Sequence, residues 1–368
     1  MKNIDRINEF TRLRPTYVSF SQKTNELIKE LVCQSGISLH TTEFRAKSIE
    51  SFAEKIKRPG KSYSDPIAQM PDLAGVRVIA YYQEDVEAIT SLIRKEFTIA
   101  ESVDKREELS TDQFGYASMH LVASIGESRR SLPEWSSFSE LRFEIQIRTV
   151  LQHAWASISH ALQYKREEEI PSAFRRKLVR LAGLFELGDE QFSELRKERG
   201  KLETELKTKF RNSDFSADLD AVSVEEYLNL SDVPKQILKT ANRLGLGTFK
   251  RLDQQDVLLE SSSLDLPLVA SVLGLKTVKE LNVELLRCKK RSKTLFNAIK
   301  RSGFSKSTVG DDDFWCSMLL VVAHPDTFTT KSMSNYNLWN DDLRLVIQKA
   351  TKKKTTKKKA TKKKTTKK

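Results

Sequence analysis

No run of apolar residues in this chain is long enough to cross a bilayer. The longest lies near Trp315 to Ala323, whereas a spanning helix takes about 20 residues. The start Met-Lys-Asn-Ile-Asp has no apolar core of the kind a secretory signal carries. Cysteine is scarce: Cys33, Cys288 and Cys316 are an odd number, at spacings that suit neither a disulfide framework nor a zinc motif. Neither His153 nor His160 stands in the His-Glu-x-x-His spacing of a zinc enzyme. These absences predict a soluble protein of a reducing, cytoplasmic compartment that needs no membrane partner.

Acidic residues are also in deficit, with 63 Lys and Arg against 50 Asp and Glu and a net charge of +13. The excess is local. The last twenty residues, Lys349 to Lys368, contain only Lys, Thr and Ala, and twelve are Lys. Removing those twelve from +13 leaves a body of about +1. Such a tail cannot bury apolar surface and is expected to be disordered. It suits two roles: holding tRNA, ribosomes or anionic lipid through phosphate contacts that weaken with salt, or keeping the chain soluble.

A chain of 368 residues has room for two domains, each with its own core. Periodicity predicts helices over 22–35 and 43–57, the latter with Ile49, Phe52, Ala53 and Ile56 on a buried stripe and closed by Arg58-Pro59-Gly60. A β-branched strand follows at 75–81, a helix at 84–95, strands at 117–125 and 141–148, and a helix at 150–165. Together these make a mixed α/β unit. A long charged helix runs from 172 to about 211. Residues 216–345 read as a separate, mostly helical piece: Ser223 and Glu226 have capping-box spacing, and Gly245, Gly247, Pro267 and Gly274 punctuate it. The only repeat is the tail. The expected division is therefore 1–210, 216–345 and a tail at 349–368, and the middle piece fits a regulatory or neutralising domain or a homo-oligomerisation element.

The most informative stretch is Leu141 to Arg148. Leu141, Phe143, Ile145 and Ile147 alternate with Arg142, Glu144, Gln146 and Arg148, so the period of two puts one set on a core and the other on the opposite face. A carboxylate and an amide among guanidiniums resemble the floor of a pocket for an anionic ligand, although a solvated, salt-bridged face has the same pattern. Lys47, Ser51 and Lys55 sit four apart, with Arg45 and Ser48 beside them. On one helix face, like charges at that spacing call for either solvent or an anion such as a polyphosphate. Asp72 precedes the strand that carries Arg77, a position that fits either a Mg²⁺ carboxylate or a turn cap. Tyr116, Ser118 and His120 follow the turn at Phe114-Gly115 with a common parity. There the Tyr offers a stacking face for a base, and the His either a phosphate contact or a structural hydrogen bond. The run Asp311-Asp312-Asp313 fits a helix N-cap.

Taken in order, these segments resemble the RelA/SpoT alarmone synthetase family. They are Arg45-Ala46-Lys47-Ser48 with Ser51 and Lys55; Asp72 with Gly75 and Arg77; Gly115 to His120; Glu144 to Thr149; and Trp155-Ala156 with His160, Tyr164 and Lys165. The match covers roughly residues 22–210. The resemblance implies a nucleotidyltransferase-like mixed sheet flanked by helices. It also implies transfer of the β,γ-pyrophosphate of ATP to the 3′-hydroxyl of GDP or GTP, giving (p)ppGpp. Arg45, Lys47, Ser51, Lys55 and Arg77 would hold ATP. Asp72 and Glu144 would hold Mg²⁺, with Glu144 also activating the hydroxyl. Tyr116, with His120, Gln146 and Arg148, would hold the acceptor.

The chain departs from the family at several places. Housekeeping members usually have Pro-Lys and an Asn before the Gly-Tyr turn, where this chain has Asp112-Gln113-Phe114, and the Glu before the helical His is Ser159. No hydrolase pattern precedes Arg45. These features are similar to synthetase-only members, including toxic ones that pyrophosphorylate the 3′ end of tRNA or make adenosine alarmones. An inactive nucleotide- or RNA-binding module is the reading from another class.

Overall fold

The computed structural model of the chain describes residues 3–60, 62–104, 118–161, 172–248, 265–302 and 309–328. The tail at 349–368 lies outside the described residues, as do the turn at Phe114 to Tyr116 and Tyr164 and Lys165. The chain divides into two units, Met1–Lys197 and Glu198–Lys368.

In the first unit, α1 (Asn3–Gln34) leads into β1 (Leu39–Ala46) and α2 (Ile49–Lys57). After the short α3 (Pro66–Gln69) and a 3₁₀ turn at Pro71–Leu73 come β2 (Ala74–Ala80), α4 (Gln83–Glu96) and β3 (Phe97–Asp104). Then follow β4 (Met119–Ile125), the one-turn α5 (Glu127–Arg130), β5 (Arg142–Thr149) and α6 (Val150–Ala161). The helix α7 (Ser172–Arg211) begins in this unit and ends in the second. The sheet order is β1-β2-β5-β4-β3. Only the β2–β5 pair is parallel, and the other three pairs are antiparallel. The architecture is the mixed α/β sheet flanked by helices that the pattern predicted.

One sheet face carries the core. Val76 and Val78 of β2, Leu121 and Ala123 of β4, and Phe143, Ile145 and Ile147 of β5 cluster with Phe10, Phe20 and Ile28 of α1, Phe52 of α2, and Val86 and Ile89 of α4. The alternation read from 141–148 therefore holds, since Phe143, Ile145 and Ile147 are wholly buried. The opposite, polar face is free to carry chemistry.

In the first unit three expectations change. The basic segment does not form one helix: Arg45 lies on β1, opposite Gly75 of β2, and Lys47 lies in the connection before α2. Ser48 caps α2 by accepting from the Ser51 N–H at 3.1 Å, so the helix can begin only after it. Upstream of that cap, pairing with β2 draws residues 39–46 into a strand. The first helix starts at Asn3 instead of 22, despite Pro15 inside it. Pro15 removes a backbone donor, but Phe10, Tyr17 and Phe20 bury against the sheet and hold the early turns. Finally, β3 adds an edge strand not expected from the pattern, paired with β4.

The second unit is helical. The end of α7 is followed by α8 (Ala221–Leu230), α9 (Asp232–Arg243), α10 (Leu266–Val272), α11 (Val278–Lys290), α12 (Ser292–Ser302) and α13 (Asp312–Ala323). A two-stranded parallel pair joins β6 (Gly247–Thr248) to β7 (Val309–Gly310). Helix α13 is buried almost all round, and the indole N–H of Trp315 donates to the Gly247 carbonyl at 3.0 Å. Asp311 caps α13 by accepting from the Phe314 N–H. The expected Ser223–Glu226 capping box is displaced by one turn: Asp220 is the cap and Ser223 its reciprocal partner, while Glu226 is buried and paired with Lys207 at 3.4 Å. Gly245 and Gly274 follow α9 and α10 with φ of +73° each, the left-handed conformation that closes a helix at low cost in glycine. Among the described residues no helix is long and apolar enough to cross a membrane.

Candidate active site

Strand pairing builds the polar face. In the β1–β2 ladder Glu43 stands opposite Arg77 and Arg45 opposite Gly75. In the parallel β2–β5 ladder Gly75 meets Glu144 and Arg77 meets Gln146. His120 of β4 lies opposite Gln146 from the other side. Side chains of equal parity on neighbouring strands share a face, so Glu43, Arg77, Gln146 and His120 form one row and Arg45, Gly75 and Glu144 the next. Glu43, Arg45, Gly75, Arg77, Glu144 and Gln146 line an open pocket. A Cβ at Gly75 would stand at ordinary van der Waals distance, 3.7 Å, from both Arg45 Cγ and the Glu144 carbonyl.

The row is tied together by hydrogen bonds. Arg77 pairs with Glu43 at 2.5 Å and donates from Nε to Gln146 Oε1 at 3.5 Å. Arg148 also donates to Gln146 Oε1. Burial pulls the Arg148 guanidinium down to about 10, and the charge of Arg77 adds to the effect. Glu43 is a member that sequence reading missed. The signal was its parity with Arg45 within a stretch read as helix.

At one end of β2 stands a carboxylate between two ammonium groups. Lys47 Nζ lies 2.6 Å and Lys55 Nζ 2.8 Å from Oδ2 of Asp72. Burial pushes the Asp72 carboxyl up, but hydrogen bonds and charge from the two lysines outweigh it and hold the group below the ordinary carboxylate range. The second oxygen, Oδ1, is buried without a hydrogen-bond partner. A buried, unpaired carboxylate oxygen is costly and has the hard-oxygen character that Mg²⁺ prefers. Lys47 is fixed at its backbone, whose N–H donates to Leu73 at 2.9 Å and whose carbonyl accepts from Arg14 Nε at 3.1 Å.

Glu144 is the second carboxylate. His120 Nδ1 lies 2.8 Å from its Oε1, and Ser118 Oγ lies 2.9 Å from His120 Nε2. With the imidazole proton on Nδ1, the Ser118 hydroxyl donates to His120 and His120 donates to Glu144. Burial raises the Glu144 carboxyl and the negative charge of Asp72 raises it further, yet the hydrogen bond and charge of His120, together with a hydrogen bond from Gln146, outweigh both and the group lies below the usual range. Asp72 and Glu144 are thus close enough to sense one another.

The structure accordingly gathers Arg45, Lys47, Lys55, Asp72, Arg77, His120, Glu144, Gln146 and Arg148 around one polar face. Ser51 is exposed on the first turn of α2, where its backbone N–H serves the cap. Tyr116 lies outside the described residues.

The chain matches the model of a region found in RelA/SpoT proteins over residues 44–169. It is 31% identical over 173 residues to the GTP pyrophosphokinase YjbM of Bacillus subtilis (strain 168), covering 46% of this chain and 78% of that protein. With the GTP pyrophosphokinase YwaC of the same strain it shares 27% over 160 residues, covering 43% and 73%. The structure of small alarmone synthetase 1 from Bacillus subtilis bound to its product pppGpp aligns over 52% of this chain and 98% of that one, with 26% identity and a TM-score of 0.44.

Proposed function

The chain belongs to the RelA/SpoT family of pyrophosphotransferases that make (p)ppGpp, and on that premise we propose that its polar face moves the β,γ-pyrophosphate of ATP to the 3′-hydroxyl of GDP or GTP. The observation that carries the reading is the pair Asp72 and Glu144. They are two carboxylates near enough for the charge of Asp72 to raise the Glu144 carboxyl, one with a buried unpaired oxygen and the other held below the ordinary carboxylate range chiefly by His120.

Each residue then has a task. Arg45, Arg77, Lys47 and Lys55 meet the triphosphate: Arg by paired N–H donors and Lys as compact charges. Holding it in line with the attacking oxygen is most of what phosphoryl-type transfer asks of a protein. Glu144 takes the proton of the acceptor 3′-hydroxyl as that oxygen bonds to the β-phosphorus. The bond from the β-phosphorus to the AMP oxygen breaks and AMP leaves. Gln146 and Arg148 border the acceptor side, and His120 keeps the Glu144 carboxylate oriented and ionised. Mg²⁺ would be held by Asp72 Oδ1 and Glu144, and would neutralise charge on the transferred group. Tyr116 supplies a stacking surface for the acceptor base.

The acceptor is identified by incubating the protein with labelled ATP and, in turn, GDP, GTP, the adenosine nucleotides and bulk tRNA. A labelled guanosine product bearing the 3′-pyrophosphate supports the reading. Label passing only to tRNA or to adenosine nucleotides moves the chain to the toxic branch, and transfer to no acceptor overturns the assignment.

A further inference from the structure

The C-terminal unit holds a second cluster of ligand-type side chains, unrelated to the nucleotide pocket. Glu284 and Cys288 lie one turn apart on the same face of α11, as residues four apart on a helix do. His324 caps the C-terminus of α13, with Pro325 following to stop the helix. The donor atoms of the three residues all lie within 4.8 Å of one another. Glu284 Oε1 is the common vertex, 3.0 Å from His324 Nε2 and 3.8 Å from Cys288 Sγ.

We propose that Glu284, Cys288 and His324 form a zinc site that clasps α11 to the end of α13. The donor set is one thiol, which binds zinc with loss of its proton, one imidazole and one carboxylate, the ligands that zinc takes in tetrahedral sites. Metal–ligand bonds of about 2.0 to 2.3 Å at tetrahedral angles place donors roughly 3.3 to 3.7 Å apart, and the two separations seen here, 3.0 and 3.8 Å, bracket that range. A small adjustment of the Glu284 carboxylate centres a metal among them. The other Glu284 oxygen is already engaged by Arg287 at 3.1 Å, so only Oε1 faces the cluster.

The backbone is prepared for the same purpose. The His324 N–H donates to the Leu320 carbonyl, and its own carbonyl accepts from Thr327 and Phe328. Phe328 is buried in the core, so the imidazole stands on a turn anchored from both sides. Cys288 is buried while His324 and Glu284 are partly open, which provides an entry path and leaves the fourth position to water. Magnesium does not fit this set, because it prefers oxygen ligands only.

Cobalt(II) as a stand-in metal decides the matter, since a thiolate ligand gives it a sulfur-to-metal charge-transfer band that oxygen-only sites lack. The full-length protein, stripped with a chelator, is titrated with Co²⁺ and then with Zn²⁺. The expected result is one equivalent of Co²⁺ per chain giving tetrahedral d–d and thiolate bands, and Zn²⁺ displacing it. His324→Gln, at a partly open position, should keep the fold and weaken binding by at least tenfold. Cys288→Ala should abolish the thiolate band, whereas Cys33→Ser should leave it intact. Zinc should also raise the melting temperature of the wild type and leave that of His324→Gln unchanged. Absence of the band in the wild type, or its loss with Cys33→Ser and survival with Cys288→Ala, would overturn the site and reduce the cluster to a hydrogen-bonded triad.

Discussion

Lys47 and Lys55 converge on the same oxygen of Asp72, at 2.6 and 2.8 Å, and leave the other oxygen buried and unpaired. Two cations on one side of a carboxylate make it a charged, oriented group with one face available. The lysines hold the Asp72 carboxyl below its ordinary range against burial, and it positions them in turn. A nucleotide triphosphate and a cation would enter a setting whose charges are already arranged.

That arrangement has a pH signature. Asp72 and Glu144 both titrate below the ordinary carboxylate range in the folded state, so each binds its proton less tightly folded than unfolded. Their contribution to stability is fully present above the unfolded carboxylate pKa of about 4 and is lost as pH falls through the folded values. Urea unfolding at pH 7 and at steps down to pH 3 should show wild-type stability falling more steeply below pH ~4 than that of Asp72→Asn. Equal slopes would mean that the lysines do not hold Asp72 ionised.

Glu144→Gln keeps the shape of the side chain and removes the base and its charge. Folding and nucleotide affinity should persist while turnover drops by ~10²-fold or more, the usual cost of losing a general base. A variant that retains a tenth of wild-type turnover would relieve Glu144 of that task.

His120 acts through Glu144. Its replacement by Ala removes the hydrogen bond and charge that contribute most to offsetting burial, so the Glu144 carboxyl should rise. The acidic limb of kcat/KM against pH reports that group in the free enzyme and should therefore move to higher pH, with the plateau less affected. If the limb stays in place and only the plateau falls, His120 contacts substrate instead of tuning the base.

Behind Arg148, Thr149 is wholly buried, and its hydroxyl donates to the buried carboxylate of Asp189 at 2.7 Å. The same hydroxyl accepts from the Gln152 N–H at 3.1 Å, which starts α6. Thr149→Val keeps the volume but strips a donor from a buried carboxylate and a cap from a helix. It should cost ~1–3 kcal/mol by chemical denaturation, and a change within experimental error would show that Asp189 is satisfied without it.

Much of the site was legible because β-strand alternation is a local property. Arg142, Glu144, Gln146 and Arg148 had to share a face whatever β5 packed against, and the apolar partners Phe143, Ile145 and Ile147 named that face by burying the other. The basic segment was misread for the complementary reason. Residues 43–57 carry a helical stripe, but pairing of 39–46 with β2 outweighs it, and the helix waits for Ser48 to cap it. Arg45 thus belongs to a strand and Lys55 to a helix, although both serve one face.

By itself the sequence determined the class of the sheet, the two-sided character of β5, the order of the family's motifs and the helical nature of the second unit. Each follows from spacing along the backbone, which fixes direction without knowledge of neighbours. Only the tertiary structure decided that Glu43 pairs with Arg77, that Lys47 and Lys55 meet at Asp72, that His120 reaches Glu144 across β4 and β5, and that His324 joins Glu284 and Cys288. These meetings depend on register, strand order and helix packing. Those are set by burial of apolar side chains far apart in the chain, which no local pattern encodes.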